Sequence, residues 1–438
     1  MIKYKNFLSV LFIFLYRILL DYVYVTIIYP IQSYAGIKYL PIEKNYIISW
    51  VVLIIVVLFY SLLIPSFDKA YPSTIIVIGI FNISFISGTT LLAYTNQDSK
   101  YIIAYTIYWI NLLLVAFMLQ YSKKLKYRSL VLLSSKCKLT IFYFISILFL
   151  LTVFFVSYKY RKLQIDLRLN VQNALRIESR NFDFSFGIGY ILNWSKILFP
   201  FLVYLLLKRK KFIIAIIVIV FSLLLYGIDG KKSVLFNMII AIIAPYLYAN
   251  RLLKYLPIFL LIILSMAIIE NIVFSTNVIS AIVVYRIFIL PSHLSQNYYD
   301  FFSKNGFDYF RQSIMRYIGF KSKYEIPVGF IIGANYDYYD PNVNSNNGLF
   351  GDAFMNFGFL GVIIMPILFY FAFKIYNYMV GECDEKFIII FLIPLISAFI
   401  NGPFFTVMLT NGFLISIILL RLFLKKNRNI SISNSGIC

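Results

Sequence analysis

The stretch YIISWVVLIIVVLFYSLLI, Tyr46–Ile64, decides the class of fold. It contains no charged residue, and it is long enough to cross the hydrocarbon core of a bilayer, which takes about 20 apolar residues as a helix. Because the hydrocarbon offers no water to backbone amides, a crossing segment must satisfy its own hydrogen bonds. The stretch therefore predicts a transmembrane helix.

Working outward from this stretch, about twelve such runs occur along the chain. They are Leu8–Tyr29, Tyr46–Ile64, Ser73–Ala93, Tyr101–Gln120, Leu139–Ser157, Gly187–Leu207, Phe212–Gly227, Val234–Ala249, Leu256–Phe274, Met355–Met379, Phe387–Ile400 and Phe404–Leu420. Charged residues make up 13% of the sequence, whereas soluble domains contain about 25%. We therefore predict an all-α polytopic integral membrane protein in which residues 1–438 form a single membrane domain.

Lysine and arginine cluster beside these runs, before Leu8 and after Gln120, Leu207, Ala249 and Leu420. With twelve spans, all five clusters fall on one side of the membrane. The positive-inside rule makes that side cytoplasmic and predicts that both termini are cytoplasmic. This placement accounts for the net charge of +22 through topology, so we expect no nucleic-acid partner.

The same topology places two longer segments on the outer side, residues 158–186 and 275–352. Both are rich in arginine, whose planar guanidinium matches phosphate oxygens, and this indicates an anionic ligand. Within the second segment, Val278–Leu290 is apolar but too short to span, which predicts an interfacial or re-entrant helix. The aromatic and charged pattern from Asn297 to Phe320 predicts helices that lie over the membrane surface.

Charged residues inside the predicted spans are unusual, because a charge in hydrocarbon is costly. Arg17 and Asp21 stand at i and i+4, which predicts an ion pair on one helix face. Lys196 and Glu270 lie in the middle or outer half of their spans, where either can line a polar cavity. Histidine occurs once, at His293. Its ordinary pKa near 6.5 suits a general base, although a surface histidine in a turn fits the spacing slightly better.

Three further motifs leave alternatives open. Asp337 and Asp340 lack the D-x-D spacing of a metal-dependent transferase, so we expect no metal and no other cofactor. Gly227–Ser233 (GIDGKKS) lacks the four residues that wrap a phosphate, and it reads as a short turn whose two lysines can help to hold an anion. Asn335–Gly348 is rich in tyrosine and amides, which indicates contact with sugars or simply reflects the abundance of tyrosine in this chain.

The whole chain resembles the O-antigen polymerases of the Wzy type, integral membrane enzymes of bacterial surface polysaccharide assembly. The likeness rests on the number of spans, the two extended outer segments and their arginines. An R-x10-G motif is also present, since Arg176 is followed by ten residues and then Gly187. The same step from Arg286, Arg311 or Arg316 reaches no glycine, so the second copy of the motif is missing here.

The resemblance implies a GT-C-like fold in the bacterial inner membrane, with both long segments forming periplasmic loops. It implies a metal-independent glycosyl transfer that joins undecaprenyl-diphosphate-linked oligosaccharide repeat units, with membrane lipid and a chain-length regulator protein as further partners. The diphosphate would be bound by Arg176, Arg180 and Arg286, with Arg311 and Arg316 as second choices. His293 would be the general base, with Glu270 as the second choice.

Two other functions remain open at this stage. An O-antigen ligase shares the large outer loop, the arginines and a histidine, and it differs only in its acceptor, the lipid A core. A lipid-linked oligosaccharide flippase also has about twelve spans, but flippases usually have short loops, which the long second segment here does not match.

Overall fold

A computed structural model describes residues 4–63, 70–122, 134–166, 172–246, 249–380 and 385–422. These residues form helices and no β-strand. Ten helices are long and apolar enough to cross a membrane, and they are α1 Ser9–Ala35, α2 Glu43–Leu63, α3 Pro72–Tyr94, α4 Ser99–Tyr121, α5 Lys136–Arg161, α7 Gly187–Lys208, α8 Phe212–Asp229, α10 Tyr255–Phe274, α13 Gly348–Val380 and α15 Phe404–Leu422. Two shorter apolar helices are α9 Ser233–Ile243 and α14 Phe387–Asn401.

Three more helices connect these elements. They are α6 Gln172–Arg180, α11 at residues 278–302 and α12 Val328–Asn335. The all-helical membrane architecture predicted from the sequence is confirmed, and each of the twelve predicted runs corresponds to one of the twelve apolar helices. Only ten of them reach full spanning length in the described part of the chain. Residues 123–133 and 423–438, which hold many of the basic residues, lie outside the described residues.

The outer surface of the helix bundle is apolar. Leu62, Phe155 and Ile213 expose 75%, 73% and 78% of their side-chain area, and many other leucines, isoleucines and phenylalanines also point outward. A soluble monomer rarely exposes a contiguous apolar surface of more than a few hundred Å². This belt therefore fits a protein whose surroundings are lipid tails.

Helix α3 occupies the centre of the bundle and is almost completely buried. It is rich in small residues, which allow neighbouring helices to approach closely in a membrane. Gly79 lies against Ile396 of α14, and Gly88 lies against the ring of Tyr105 on α4. The Tyr105 hydroxyl donates a 3.1 Å hydrogen bond to the carbonyl of Ser84. A side chain at Gly88 would occupy the place of that hydroxyl group.

The predicted ion pair between Arg17 and Asp21 is confirmed, and both side chains are buried. The Arg17 guanidinium also donates to the hydroxyl and carbonyl of Thr89 on α3 and to the hydroxyl of Ser49 on α2. Each hydrogen bond reduces the cost of keeping a charge in an apolar bundle. The pair thus joins the first three spans.

Helix α1 is longer than the predicted run that ended at Tyr29. Residues Tyr24–Ile28 are wound as a π-helix, and the helical chain continues past Pro30 to Ala35. The helix then ends at Gly36, whose φ of +81° suits glycine. After this end, the amide of Leu40 donates to the carbonyl of Tyr94, where α3 finishes.

Helices α1, α3, α5, α8 and α10 all finish at one end of the bundle, and residues 303–347 fold over it. We call this end the loop end. The contacts that define it include Leu40 with Tyr94, Arg161 with the carbonyl of Ile228 and the Tyr299 hydroxyl with Asp98.

Helix α11 is longer than the apolar run Val278–Leu290, for which the sequence predicted an interfacial or re-entrant helix. It begins at residue 278, runs as a π-helix over Ser280–Ile289 and continues without a break as an α-helix over Leu290–Phe302. Every residue from Pro291 to Tyr299 is buried. The reason is that its polar residues bond to the neighbouring spans, as when Ser292 donates to the carbonyl of Ser84 on α3. The second half of the helix is therefore packed into the bundle, while Val278 and Arg286 in its first half remain exposed.

Replacing Gly88 with alanine should destabilise the fold, because the new methyl group would collide with the buried hydroxyl of Tyr105. We expect a loss of about 1–3 kcal/mol, the usual cost of overpacking, seen as a lower midpoint of thermal unfolding in detergent. The double variant with Tyr105→Phe should recover part of this loss, because it removes the colliding atom.

Gly189→Ala is the matched control, since Gly189 lies in helix α7 with open space around it. It should leave the midpoint unchanged or raise it slightly, because alanine has the higher helix propensity. Equal midpoints for the Gly88 and Gly189 variants would contradict the close packing of α3 on α4.

Candidate functional site

Helix α6 carries the first two arginines of the site, and it is fastened to the ends of α5 and α8. Arg161, at the end of α5, donates 3.0 Å and 3.4 Å hydrogen bonds to the carbonyls of Leu175 and Ile228. Its guanidinium also forms an ion pair with Glu178. These contacts fix the orientation of α6 at the loop end.

Three cations from separate segments lie near one another at α6, close enough for their charges to interact. They are Arg176 of α6, Lys232 of the turn between α8 and α9, and Arg286 of α11, and all three side chains are exposed. Crowding by surrounding atoms, followed by the positive charge of Arg286, lowers the pKa of Arg176. Partial burial, followed by Arg286 and Arg176, lowers the pKa of Lys232. We call these three residues the cationic cluster.

The turn that presents Lys232 is held by a buried ion pair. The Lys196 ammonium of α7 lies 2.5 Å from the carboxylate of Asp229, which also accepts a 3.2 Å hydrogen bond from the amide of Lys231. Gly230 follows with a φ of +61°, which glycine adopts without strain. The GIDGKKS motif thus forms the end of α8 and the turn that leads into α9. Lys196, which the sequence suggested can line a polar cavity, anchors this turn.

Arg286 lies among aromatic rings at the start of α11. Its guanidinium carbon is 5.8 Å from the ring centroid of Tyr285 and 5.9 Å from that of Tyr338, both within cation–π range. The neighbouring Asp337 is buried and accepts a 2.6 Å hydrogen bond from the Ser345 hydroxyl. Burial raises the pKa of Asp337, while Ser345 and Arg286 act in the opposite direction.

Arg180 joins the cluster to the long segment between α12 and α13. Its guanidinium donates a 2.8 Å hydrogen bond to the carbonyl of Asn342 and lies 5.1 Å from the ring centroid of Phe330. Its charge also lowers the pKa of Arg176, as a minor cause. The structure therefore places Arg286 in the same region as Arg176 and Arg180, although it is far from them in the sequence.

The other predicted arginines lie on the segment between α11 and α12. Arg311 is half-buried, with its guanidinium carbon 5.6 Å from the ring centroid of Tyr309. Arg316 is exposed in the short 3-10 turn Ile314–Ile318. Gly187, the glycine of the R-x10-G motif, lies in the first turn of α7 with nothing within 4 Å of the place of a Cβ atom. No packing contact therefore explains this glycine.

His293 is buried in α11, under the end of α1. Its Nε2 atom is 3.1 Å from the side-chain amide nitrogen of Asn297. Burial, with a smaller effect from Lys38, lowers the pKa of His293 to about 4, although the nearby backbone of Ala35 acts to raise it. The side chain is therefore neutral at physiological pH, and it is not the surface histidine that the turn spacing allowed.

Glu270 lies at the end of α10 and caps the start of α11. Its carboxylate accepts 2.7 Å hydrogen bonds from the amides of Val278 and Ile279 and a 2.9 Å bond from the Thr276 hydroxyl. Backbone amides at the first turn of a helix have no partner within the helix, so a carboxylate here stabilises the helix start. Both Glu270 oxygens are used in this way.

The sequence pointed to the arginines, but it gave less guidance on three other residues of this region. Lys232 is one of two turn lysines that the sequence predicts can help to hold an anion, and Asp337 and Tyr338 belong to a motif with an open interpretation. Only the folding of the 336–345 segment onto α11 brings the last two beside Arg286. No local pattern in the sequence signals that contact.

Asp229→Asn should destabilise the loop end strongly, because it leaves the buried ammonium of Lys196 without its counter-ion. Breaking a buried pair in this way costs about 3–5 kcal/mol. The matched control is Glu178→Gln, since that carboxylate is 57% exposed and an exposed pair contributes about 1 kcal/mol or less. Thermal unfolding in detergent measures both, and equal losses would show that the turn does not depend on Asp229.

Comparison with known proteins gave no match. No family model matches the chain, and neither the curated proteins nor the solved structures contain a match.

Proposed function

We propose that this protein is a membrane glycosyltransferase that polymerises undecaprenyl-diphosphate-linked oligosaccharide repeat units into O-antigen or a related surface polysaccharide. In this proposal the loop end faces the periplasm, both termini are cytoplasmic, and the bundle is a GT-C-like fold of the bacterial inner membrane. The positive-inside arrangement of the basic residues supports the orientation.

The observation that carries the proposal is the convergence of Arg176, Lys232 and Arg286. Like charges repel, and the positive charge of Arg286 lowers the pKa of both Arg176 and Lys232, so these cations form an environment that an anion stabilises. A diphosphate carries several negative charges, and guanidinium groups match its oxygens in pairs. A lipid-linked diphosphate at the membrane surface fits both the charge and the position of the cluster.

The reaction follows from this placement. A hydroxyl oxygen of the acceptor saccharide bonds to the anomeric carbon of the donor, the bond from that carbon to the diphosphate oxygen breaks, and its electron pair leaves with the diphosphate. The departing diphosphate gains negative charge in the transition state, and cations fixed beside it lower the barrier. The hydroxyl proton passes to a base.

Two side chains are candidates for that base. His293, the first choice from the sequence, is neutral and able to accept a proton. Its pKa of about 4 makes it a weak base in this buried position. Asp337 interacts with Arg286, and burial raises its pKa towards the range in which general bases act. We therefore add Asp337 as a second candidate beside His293.

Removing a cation of the cluster should slow polymerisation. We expect Arg176→Ala and Arg286→Ala each to reduce the rate about a hundredfold, the loss typical when one fixed electrostatic group is removed from a transition state. In cells that depend on this protein, single repeat units should accumulate and long polysaccharide should decrease on gels of surface glycans. Arg209→Ala, a change to an exposed arginine at the opposite end of the bundle, is the matched control.

Normal chain lengths in both cluster variants, at normal protein levels in the membrane, would contradict the role of the cluster. The separate variants His293→Ala and Asp337→Asn identify the base. If one of these variants stops polymerisation but still binds undecaprenyl diphosphate, the residue that it replaces is the proton acceptor. The same assay on Arg311→Ala and Arg316→Ala decides whether the second-choice arginines contribute.

Reconstitution tests the function as a whole. Purified protein in proteoliposomes is supplied with lipid-linked repeat units alone, and a ladder of longer products supports a polymerase. Turnover that begins only after lipid A core is added identifies a ligase. Movement of the lipid across the bilayer without new glycosidic bonds identifies a flippase.

A further inference from the structure

A group of tyrosine rings lies next to Arg286, and it is built from two segments that are far apart in the chain. Tyr34 is at the end of α1, while Tyr338 and Tyr339 belong to the segment between α12 and α13. The rings of Tyr34 and Tyr338 meet edge to face with centroids 5.8 Å apart. Tyr34 and Tyr339 expose 63% and 60% of their area. We call these three residues the tyrosine platform.

The backbone supports the platform in an unusual way. Tyr338 and Tyr339 have φ angles of 59° and 51°, in the left-handed region that residues other than glycine seldom adopt. Strained residues of this kind concentrate at ligand sites, where the surrounding structure holds them in place. Here that structure includes the amide of Tyr338, which lies 3.5 Å from the carbonyl of Ala35.

Gly36 completes the contact between the two segments. A side chain there would collide with the carbonyl oxygen of Tyr336, and the ring of Tyr339 lies 3.6 Å from the place of its Cβ atom. On the other side, Arg180 of α6 bonds to the carbonyl of Asn342. The platform is thus fixed to α1 and to the helix that carries Arg176.

We propose that the tyrosine platform binds a pyranose ring of the saccharide attached to the diphosphate. This inference rests on the proposed function and adds a sugar subsite to it. The position of Arg286 indicates that the ligand of the platform is a sugar attached to the diphosphate, because the guanidinium carbon lies 5.9 Å from the ring centroid of Tyr338. A diphosphate held by Arg286 therefore presents its first sugars to the platform.

The chemistry of the platform fits a sugar. The C–H groups on one face of a pyranose form an apolar surface, which is removed from water when it stacks on an aromatic ring. Exposed amide side chains follow the platform at Asn342, Asn344 and Asn346, and amides donate to and accept from hydroxyl groups. The tyrosine rings would therefore provide apolar contact, while the three asparagine side chains provide hydrogen bonds.

The test measures the binding of two lipids to the full-length protein in nanodiscs. The first is undecaprenyl diphosphate, which carries no sugar, and the second is the diphosphate-linked repeat unit purified from cells that lack this protein. The wild type should bind the second lipid more tightly. Tyr34→Ala and Tyr338→Ala should each weaken binding of the glycosylated lipid about tenfold, which corresponds to about 1.4 kcal/mol, and leave the affinity for undecaprenyl diphosphate unchanged.

Tyr34→Phe keeps the ring and should bind like the wild type. Tyr22→Ala removes a half-exposed tyrosine from the same helix and serves as the matched control. Arg286→Ala should weaken binding of both lipids, which separates the sugar subsite from the anion site.

The outcomes are distinguishable. Unchanged affinity of both alanine variants for the glycosylated lipid overturns the subsite and leaves the cationic cluster intact. If the alanine variants lower the amount of protein in the membrane without altering lipid selectivity, the rings are interfacial anchors, and the subsite is also overturned. A wild type that binds neither lipid overturns the proposed function and the subsite with it.

Discussion

The absence of hydrogen-bonding solvent in the bilayer core is the constraint from which the rest of this structure follows. It makes the described chain helical, and it requires each charge within the bundle to have a partner. Arg17 meets this requirement through Asp21, Ser49 and Thr89, and Lys196 meets it through Asp229. Exposed cations without such close pairing are then tolerated only where the helices end, and the cationic cluster is at such an end.

The cluster is stable without a ligand because each of its members is held by a different element. Arg161 fastens α6, the buried Lys196–Asp229 pair fixes the turn before Lys232, and Arg286 is part of a helix packed into the bundle. Repulsion between the three charges is therefore opposed by packing elsewhere, and the charges remain oriented before any anion arrives. Preorganised charge of this kind needs little rearrangement during a reaction, which makes it effective in catalysis.

The spans could be predicted from the sequence because hydrophobicity is a local property, and an apolar run such as Tyr46–Ile64 needs no knowledge of its neighbours. Helix α11 could not be read in the same way. Pro291 marked an end in the sequence, but it lies in the first turn of the α-helical part, where proline needs no amide partner. Its polar residues suggested a surface position, yet serines and amides can be buried when neighbouring helices satisfy them.

In the candidate site, too, some features could be predicted from the sequence and others depend on tertiary contacts. Residue type was enough to select Arg176 and Arg286 as candidates, since the planar guanidinium group matches phosphate oxygens. The approach of Tyr34 to Tyr338 depends on tertiary contacts between distant segments, and no spacing rule reports it. The burial of His293 near Ala35 also depends on tertiary contacts, so the sequence could not predict the solvent exposure of this side chain.

Helix α11 connects these features, since Glu270 caps its start, Arg286 lies in its π-helical part and His293 follows in its α-helical part. π-Helical segments are rare and are often found at functional sites, because their wider turn places side chains where an α-helix would not. A carboxylate that binds two amides at a helix start has little capacity left to accept a proton. In the proposed reaction, Glu270 therefore contributes by fixing the start of α11, and through it the position at which Arg286 meets the diphosphate.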